Sequence, residues 1–380
     1  MFDTTFCCYG ARRPTGAGAG GTRWARLLLL PILTSMLGCA SGAPPPDFRP
    51  DPIVLDNLVG LRIIASPRAC PGEPITATYV GLFDDGSALP FSHDYDRDAP
   101  PALHLSFLRR LSLEATPSED GGWDAHPDPL RSAVSGYRLS AQLWSKPSVH
   151  TEHVVEPEYS CIGDTYTFSA PLRGAGPRVV VRLDVFTSPF YERLIVAQIT
   201  AGEDPPFYVL GDAQRAPPVG WLIIQARGGR GAQGSRGSRG RRGVAGAAGC
   251  PGSDGDNGGP GGTGGRGEPG GRGGEIVIVV PQDQPDLARL VEPHIPGGLG
   301  GSGGDGGAGG RGGSGGAASE EGCASGSAGG NGIGGARGLA GRSGEVGAVQ
   351  VLGAPRGSVF GSNAPAALRA LIEYSAGGRR

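Results

Sequence analysis

Short runs within residues 58–220 carry an apolar side chain at every second position. The runs lie at residues 75–79, 103–107, 137–143 and 181–185. Alternation with period 2 is typical of a β-strand that buries one face. Turn-forming residues separate the runs, and no apolar helical periodicity appears. We therefore expect about seven to nine strands arranged as an antiparallel β-sandwich.

One stretch of this region also resembles a known module. From Ile63 to Thr76 an apolar run ends at Ser66-Pro67, a turn around Pro71-Gly72 follows, and a β-rich run begins at Ile75. This order is similar to the opening of bacterial immunoglobulin-like modules. The resemblance implies an immunoglobulin-like sandwich for residues 58–220.

The pattern changes after residue 220, where glycine recurs with a period of three. Every third residue is glycine from Gly228 to Gly273, from Gly297 to Gly315 and from Gly326 to Gly347, and 52 of the 72 glycines follow residue 226. Three residues per turn is the repeat of a polyproline-II helix. Residues 221–380 are therefore expected to form a separate glycine-rich domain of extended left-handed helices.

Two architectures use glycine at every third position. A collagen-like stalk would need three chains and many prolines, yet the first run contains only Pro251, Pro260 and Pro269. From Gly258 onward the repeat becomes Gly-Gly-X, which suits one chain folded back on itself as a polyglycine-II-type bundle. We expect a monomeric bundle, with a homotrimeric collagen-like stalk as the alternative.

Apolar strands and short helices bound the glycine runs. Strands are predicted at residues 221–224, 276–280 and 349–352, and LxxL segments at 286–291 and 367–372 predict short helices. The order strand, helix and paired glycines occurs twice. The sequence therefore predicts two tandem glycine hairpins that continue from a sheet, with a turn near Glu320-Glu321-Gly322.

Residues 221–380, called the tail below, resemble as a whole the collagen-like, glycine-rich surface lipoproteins of bacteria with large GC-rich genomes, such as myxobacteria. Its Gly-Gly-X runs are similar to the polyglycine-II bundles of phage tail adhesins and of the Obg GTPase N-terminal domain. The resemblance implies an architecture and a surface location, and it carries over no functional residue.

Residues 1–38 are predicted to be a lipoprotein signal peptide. Arginines precede an apolar stretch at residues 27–37, which is too short to span a bilayer. Met36-Leu37-Gly38-Cys39 resembles a bacterial lipobox, which implies lipidation of Cys39, a membrane anchor and, with Ala40 next, sorting to the outer membrane. An ordinary signal peptide cut nearby is the alternative. Residues 39–57 are read as a Pro-rich tether.

The cysteines divide according to this organisation. With Cys39 assigned to the lipid, an exported chain retains Cys70, Cys161, Cys250 and Cys323, which allow three pairings. Domain membership favours Cys70 with Cys161 and Cys250 with Cys323. Disulfides are expected in an oxidising compartment outside the cytoplasm.

The net charge of -2 conceals an acidic head, residues 58–220, and a mildly basic tail. In the tail Arg230, Arg236, Arg239 and Arg242 share one register of a three-residue helix and form a basic ridge. The ridge is a candidate site for an anionic polysaccharide, lipopolysaccharide or nucleic acid bound through non-specific electrostatics. Another envelope protein is the other partner expected for the chain, and no specific nucleic acid is expected. The alternative is a set of solvated arginines that keep the tail soluble or meet the acidic head.

Apparent catalytic and metal motifs do not form coherent sites. Lys146 is the only lysine and matches neither a phosphate loop nor a Schiff-base position. His150 and His153 are three apart in a predicted strand and would face opposite ways. The Asp94–Asp98 loop lacks the glycine and glutamate of a calcium loop, and the GxSxG match at Gly312 lies within glycine repeats. No catalytic, cofactor or metal residue is assigned.

These observations predict a non-enzymatic cell-envelope lipoprotein with a structural or adhesive role at the surface. The alternative is an envelope carbohydrate-binding protein or hydrolase that uses carboxylates of the acidic head. Two clustered, buried carboxylates in a cleft would favour the alternative.

Overall fold

The computed structural model describes residues 44–377, whose regular secondary structure is mostly β-strand with few helices. The strands are β1 Leu58–Ala65, β2 Arg68–Ala69, β3 Pro74–Ile75, β4 Ala77–Phe83, β5 Ala88–Pro90, β6 Leu108–Leu111, β7 Ala115–Pro117, β8 Trp123–Ala125, β9 Tyr137–Leu143, β10 His150–Pro157, β11 Thr165–Ser169, β12 Arg178–Phe186, β13 Leu194–Ala201, β14 Phe207–Asp212, β15 Leu222–Arg227, β16 Glu275–Pro281, β17 Val291–His294 and β18 Ala348–Ala354. The helices are α1 Pro52–Asn57, α2 Ser132–Ser135 and α3 Ala366–Gly377, with 3₁₀ turns at Leu105–Phe107, Pro285–Leu290 and Arg356–Ser358. None of the described helices has both the length and the apolar character needed to cross a membrane.

A first core is built by the strands up to β10. Three sheets surround it, with strand orders β1-β4-β5, β2-β10-β9-β6 and β3-β8-β7. Tyr79, Trp123 and Tyr137 are among its largest fully buried side chains. Residues before β1 also join this core, because Phe48 lies 5.0 Å from Phe107 between ring centroids. The end of the expected tether is therefore packed on the head.

A second core lies between two sheets that use strands from both sides of residue 220. One sheet has the order β14-β13-β12-β16-β18 and the other the order β11-β15-β17. β12 pairs in parallel with β16, and β11 pairs in parallel with β15. Parallel pairs need long crossover connections, and the strands of this sandwich are joined by long excursions that include the glycine segments. The compositional step at residue 220 thus falls within shared sheets.

The helical predictions in the tail are confirmed in outline. The first LxxL segment forms the 3₁₀ turn at Pro285–Leu290, and the second forms α3. Leu368 and Leu371 of α3 are fully buried against the outer face of the five-stranded sheet, together with Phe186 and Leu194. The spacing of the buried leucines matches one face of a helix.

Two of the predicted strands differ in the structure. The strand prediction for residues 103–107 is wrong, because Leu105–Phe107 is a 3₁₀ turn. The His104 ring nitrogen Nδ1 accepts a hydrogen bond from the Ser106 backbone N–H at 3.1 Å. This local bond favours a turn over an extended ladder. The run at residues 75–79 is interrupted at Thr76 and divided between β3 and β4.

The glycine runs form four extended segments without helix or strand hydrogen bonding of their own. We define segment A as residues 228–249, segment B as 252–273, segment C as 297–316 and segment D as 326–347. Segment A continues from β15, B leads into β16, C follows β17 and D leads into β18. The four segments therefore extend one end of the two-sheet sandwich.

Candidate functional site

The four glycine segments are joined by a repeating set of backbone hydrogen bonds. Every third residue of A donates its N–H to C, and B donates to both A and D, while C donates to B and D donates to C. Representative bonds are Gly237 N–H to Asp305 O at 2.9 Å, Gly262 N–H to Ser238 O at 2.7 Å, Gly261 N–H to Ile333 O at 2.9 Å, Gly307 N–H to Gly262 O at 2.8 Å and Gly335 N–H to Gly307 O at 2.8 Å. B and C occupy the middle, and A and D lie at the outer corners.

Glycine is required in these segments where the α-carbon lies against the backbone of a neighbouring segment. In segment C both Gly306 and Gly307 are required, because a Cβ on Gly306 would collide with the Gly335 carbonyl and one on Gly307 with the Ser238 carbonyl. In segment A one position of each triplet, such as Gly237, has this restriction against Gly262. Segment C therefore reads Gly-Gly-X throughout, while segments A, B and D also contain Gly-X-Y triplets, such as Gly234-Ser235-Arg236, Gly252-Ser253-Asp254 and Gly326-Ser327-Ala328.

A loop of the head fixes the base of the glycine segments. Arg173 N–H donates to the Arg230 carbonyl at 2.9 Å, and Gly176 N–H donates to the Arg272 carbonyl at 2.8 Å. The Arg173 side chain forms an ion pair with Glu268 of segment B, with 2.7 Å between Nε and Oε2. Residues 170–177 thus lie across segments A and B where they leave the sheets.

Both expected disulfides are present. Cys250 follows segment A and is bonded to Cys323, which precedes segment D, with 5.2 Å between Cα atoms. The bond links the two glycine hairpins at the end remote from the sheets, beside the turn at residues 319–322. Cys70 is bonded to Cys161, with 6.3 Å between Cα atoms, and joins the loop after β2 to the segment before β11.

The basic ridge lies on the outer edge of segment A. Arg230, Arg236, Arg239 and Arg242 are exposed and follow one another in a single register, on the face turned away from segment B. Among residues 44–377, ion pairs are made by other arginines, such as Arg337 with Asp305, and none of the four ridge side chains takes part in one. The structure therefore places these four cations in line and leaves their side chains to solvent.

A cleft beside β14 brings two carboxylates of the head near one arginine. Arg215 lies 3.9 Å from Glu158 and 3.6 Å from Asp212, and the two carboxylate side chains are 20% and 19% exposed. Burial raises the pKa of Glu158, but hydrogen bonds from Ser160 and the charges of Arg215 and Arg68 outweigh it, so the pKa is lowered overall. The cleft encloses about 200 Å³, and Glu158 is ionised there because Ser160 and the two arginines lower its pKa.

A second cleft is lined by aromatic and proline side chains. Tyr166, Phe207 and Tyr208 face Pro127 and Pro365 across a cavity of about 650 Å³. The Tyr166 and Phe207 rings are 5.1 Å apart between centroids. Burial raises the pKa of both tyrosine hydroxyls, which therefore stay neutral and can donate hydrogen bonds. Sequence patterns could not indicate this cleft, because its residues come from distant parts of the chain.

The dismissed metal motifs do not gather ligands. His150 and His153 lie on β10 as predicted. Among the described residues, the one group of three ligand atoms within 4.8 Å consists of Cys250, Glu320 and Cys323, and its two sulfurs are joined in the disulfide. Cys39, the predicted lipidation residue, lies outside the described residues.

An additional buried ion pair was not visible in the sequence. Asp184 on β12 is fully buried and lies 3.4 Å from the Arg356 guanidinium, between Oδ2 and Nε, without the alignment of a hydrogen bond. Its other oxygen accepts from the Val185 N–H at 2.7 Å. Burial raises the pKa of Asp184, and Arg356 opposes this rise.

Comparison with known proteins gives no match to a family model, to a curated protein or to a solved structure.

Proposed function

We propose that the chain is a non-enzymatic, lipid-anchored protein of the cell envelope whose glycine segments form a rigid polyglycine-II-type bundle with a structural or adhesive role. The observation that carries this proposal is the hydrogen-bond lattice among segments A to D, all within one chain. The proposal takes the head as an immunoglobulin-like sandwich that supports the bundle.

The lattice favours stiffness over flexibility. A glycine-rich chain alone behaves as a flexible coil, but here each segment is bonded to at least two others. At about 3.1 Å per residue in a polyproline-II helix, segment A has a length of about 65 Å. A stiff projection of this size suits the display of a surface at a distance from the membrane.

The proposed location rests on the disulfides and on the segment around Cys39. The two disulfides fit an oxidising compartment. The lipobox-like segment at Cys39 supplies a means of membrane attachment, with the outer membrane as the proposed site.

A non-enzymatic role is favoured by the chemistry of the carboxylate cleft. A glycosidase pair needs one carboxyl group that stays protonated as a general acid. In the cleft beside β14, Glu158 has a lowered pKa and shares Arg215 with Asp212. An ionised, arginine-paired carboxylate serves poorly as a general acid.

Binding of a saccharide is a second candidate function, favoured by the aromatic cleft. Tyr166, Phe207 and Tyr208 line the cleft with flat aromatic rings, two of which carry a hydroxyl group, a combination common in small-molecule sites. Saccharide binding in this cleft would give the head an adhesive role in addition to the role proposed for the bundle.

Fractionation of cells that express the full chain tests the proposal. We expect the protein in the membrane fraction with a lipid on Cys39, and we expect Cys39→Ser to release it from membranes. The variant Cys70→Ser/Cys161→Ser serves as the control for loss of a cysteine elsewhere, and it should remain lipidated. Unlipidated protein in the cytosol would contradict the proposed location and anchor.

A further inference from the structure

The ridge on segment A differs from an ordinary scatter of surface arginines because its backbone is fixed. The carbonyls on one side of segment A accept bonds from B, and its glycine N–H groups donate to C. In each triplet of segment A the glycine bonds to C and the next residue bonds to B. The ridge arginines occupy the remaining position of the triplet, which points away from both B and C. Their spacing is therefore set by the polyproline-II rise, about 9 Å between successive ridge positions.

Charge along this edge has one sign. The ridge register reads Arg230, Gln233, Arg236, Arg239 and Arg242, and no acidic residue occurs between Asp212 and Asp254 in the sequence. Arg241 of the adjacent register adds a further exposed cation. Unpaired like charges in a row repel one another, and a bound polyanion would relieve that repulsion.

The shape of the ridge selects among anionic partners. From Arg230 to Arg242 the ridge is about 37 Å long and one residue wide. It is convex, so it cannot enclose a compact anion, and a single file of charges makes poor use of a flat membrane surface. A linear polymer with regularly spaced carboxylates or sulfates can follow it and contact several arginines at once.

We propose that Arg230, Arg236, Arg239 and Arg242 form a binding edge for a linear acidic polysaccharide. This inference deepens the proposed adhesive role, because it names the class of partner. Arginine suits such a partner because its guanidinium can form paired hydrogen bonds with a carboxylate or sulfate group. Affinity comes from several weak contacts along one stiff edge, so polymer length matters.

Binding of the full chain in detergent to immobilised polygalacturonate tests the inference, with neutral dextran as the negative probe. Arg236→Gln/Arg239→Gln/Arg242→Gln is compared with Arg266→Gln/Arg272→Gln/Arg342→Gln, which removes the same charge from other faces of the glycine segments. We expect the ridge variant to bind about tenfold more weakly at low salt, since three exposed ion pairs are lost. The control triple should bind like the unchanged chain.

Further arms decide between partners and guard against misfolding. Circular dichroism should be the same for both triples, and Arg236→Lys/Arg239→Lys/Arg242→Lys should keep most of the binding. High salt should weaken binding through screening, and short oligogalacturonates should compete poorly.

Equal losses in the two glutamine triples, or unchanged binding by the ridge triple, would overturn the inference. Tighter binding to duplex DNA or to anionic phospholipid vesicles at equal charge concentration would also overturn the polysaccharide assignment. Any of these results would leave the lipid anchor and the bundle untouched, because fractionation and circular dichroism report on those separately.

Discussion

A single buried charge shows how the head depends on residues far apart in the sequence. Asp184 lies on β12, and its cation, Arg356, lies in the short 3₁₀ turn after β18. Arg356 also approaches the exposed Asp283, at 3.7 Å. The pair connects a strand of the head to the last part of the tail, in a place where burial alone would oppose ionisation.

Arg356→Gln should therefore destabilise the protein in a pH-dependent way. The folded-state pKa of Asp184 is already raised by burial, and removal of Arg356 should raise it further. A carboxyl group with a raised folded-state pKa does not lower the free energy of unfolding at pH values below its unfolded-state pKa, about 3.9. The free energy of unfolding falls as the pH rises from that value through the folded-state pKa. We expect a loss of about 2–3 kcal/mol at pH 7, below the range for fully buried pairs because Arg356 is partly exposed.

Thermal unfolding at pH 4 and pH 7 measures this effect. The Tm difference between Arg356→Gln and the unchanged chain should be small at pH 4 and large at pH 7. Asp184→Asn/Arg356→Gln should recover much of the loss at pH 7, because the amide oxygen can still accept from Val185. An equal Tm loss at both pH values would exclude the charge explanation.

At the scale of an element, segment D provides adjacent glycines with opposite requirements. A Cβ on Gly335 would collide with the Gly262 carbonyl, whereas a Cβ on Gly334 has only the Gly307 oxygen nearby, at 3.8 Å. The two positions are adjacent in the chain, so they share sequence context and length of glycine run. The difference between them isolates packing from chain entropy.

Gly335→Ala should destabilise the bundle by about 2 kcal/mol or more, through overpacking against a backbone that cannot move alone. Gly334→Ala should be neutral or stabilising by up to about 1 kcal/mol, because alanine restricts the unfolded chain. Thermal unfolding measures both effects, and hydrogen exchange of the segment D amides locates them. Similar losses for both variants would show that glycine is needed for flexibility and not for close packing.

Much of this element was predictable because its geometry is local. A period of three predicts the helix type, and doubled glycines indicate contacts on two faces, as segment C has. Apolar patterns predicted the strands at 276–280 and 349–352 and the helix near 367–372.

The parallel pairing of β12 with β16 was not predictable, because it joins strands separated by segments A and B. The 3₁₀ turn at 105–107 was missed, since a histidine bond to the backbone leaves no apolar signature.

The candidate sites divide in the same way. The arginine ridge could be read from the sequence because register within one segment determines its face. The clefts could not be read, since Tyr166, Phe207 and Pro365 approach only through tertiary packing. The disulfide pairs were chosen by domain membership, and that criterion succeeded although the sheets themselves cross the compositional step.

At the scale of the whole molecule, the decisive alternative is a trimer. A collagen-like stalk satisfies its glycine N–H groups with carbonyls of other chains, whereas here Gly237, Gly262, Gly307 and Gly335 find theirs within one chain. β15 to β18 also bind the ends of the segments into two sheets, which leaves them no freedom to exchange with other chains.

We therefore expect the mature chain, produced without lipid, to sediment with the mass of one protomer and to have a polyproline-II circular dichroism spectrum. Its Tm should not change with protein concentration, because unfolding of a monomer is independent of mass action. A threefold mass together with a Tm that rises with concentration would establish the stalk instead, and the stiffness argued for segments A to D would then belong to an assembly of chains.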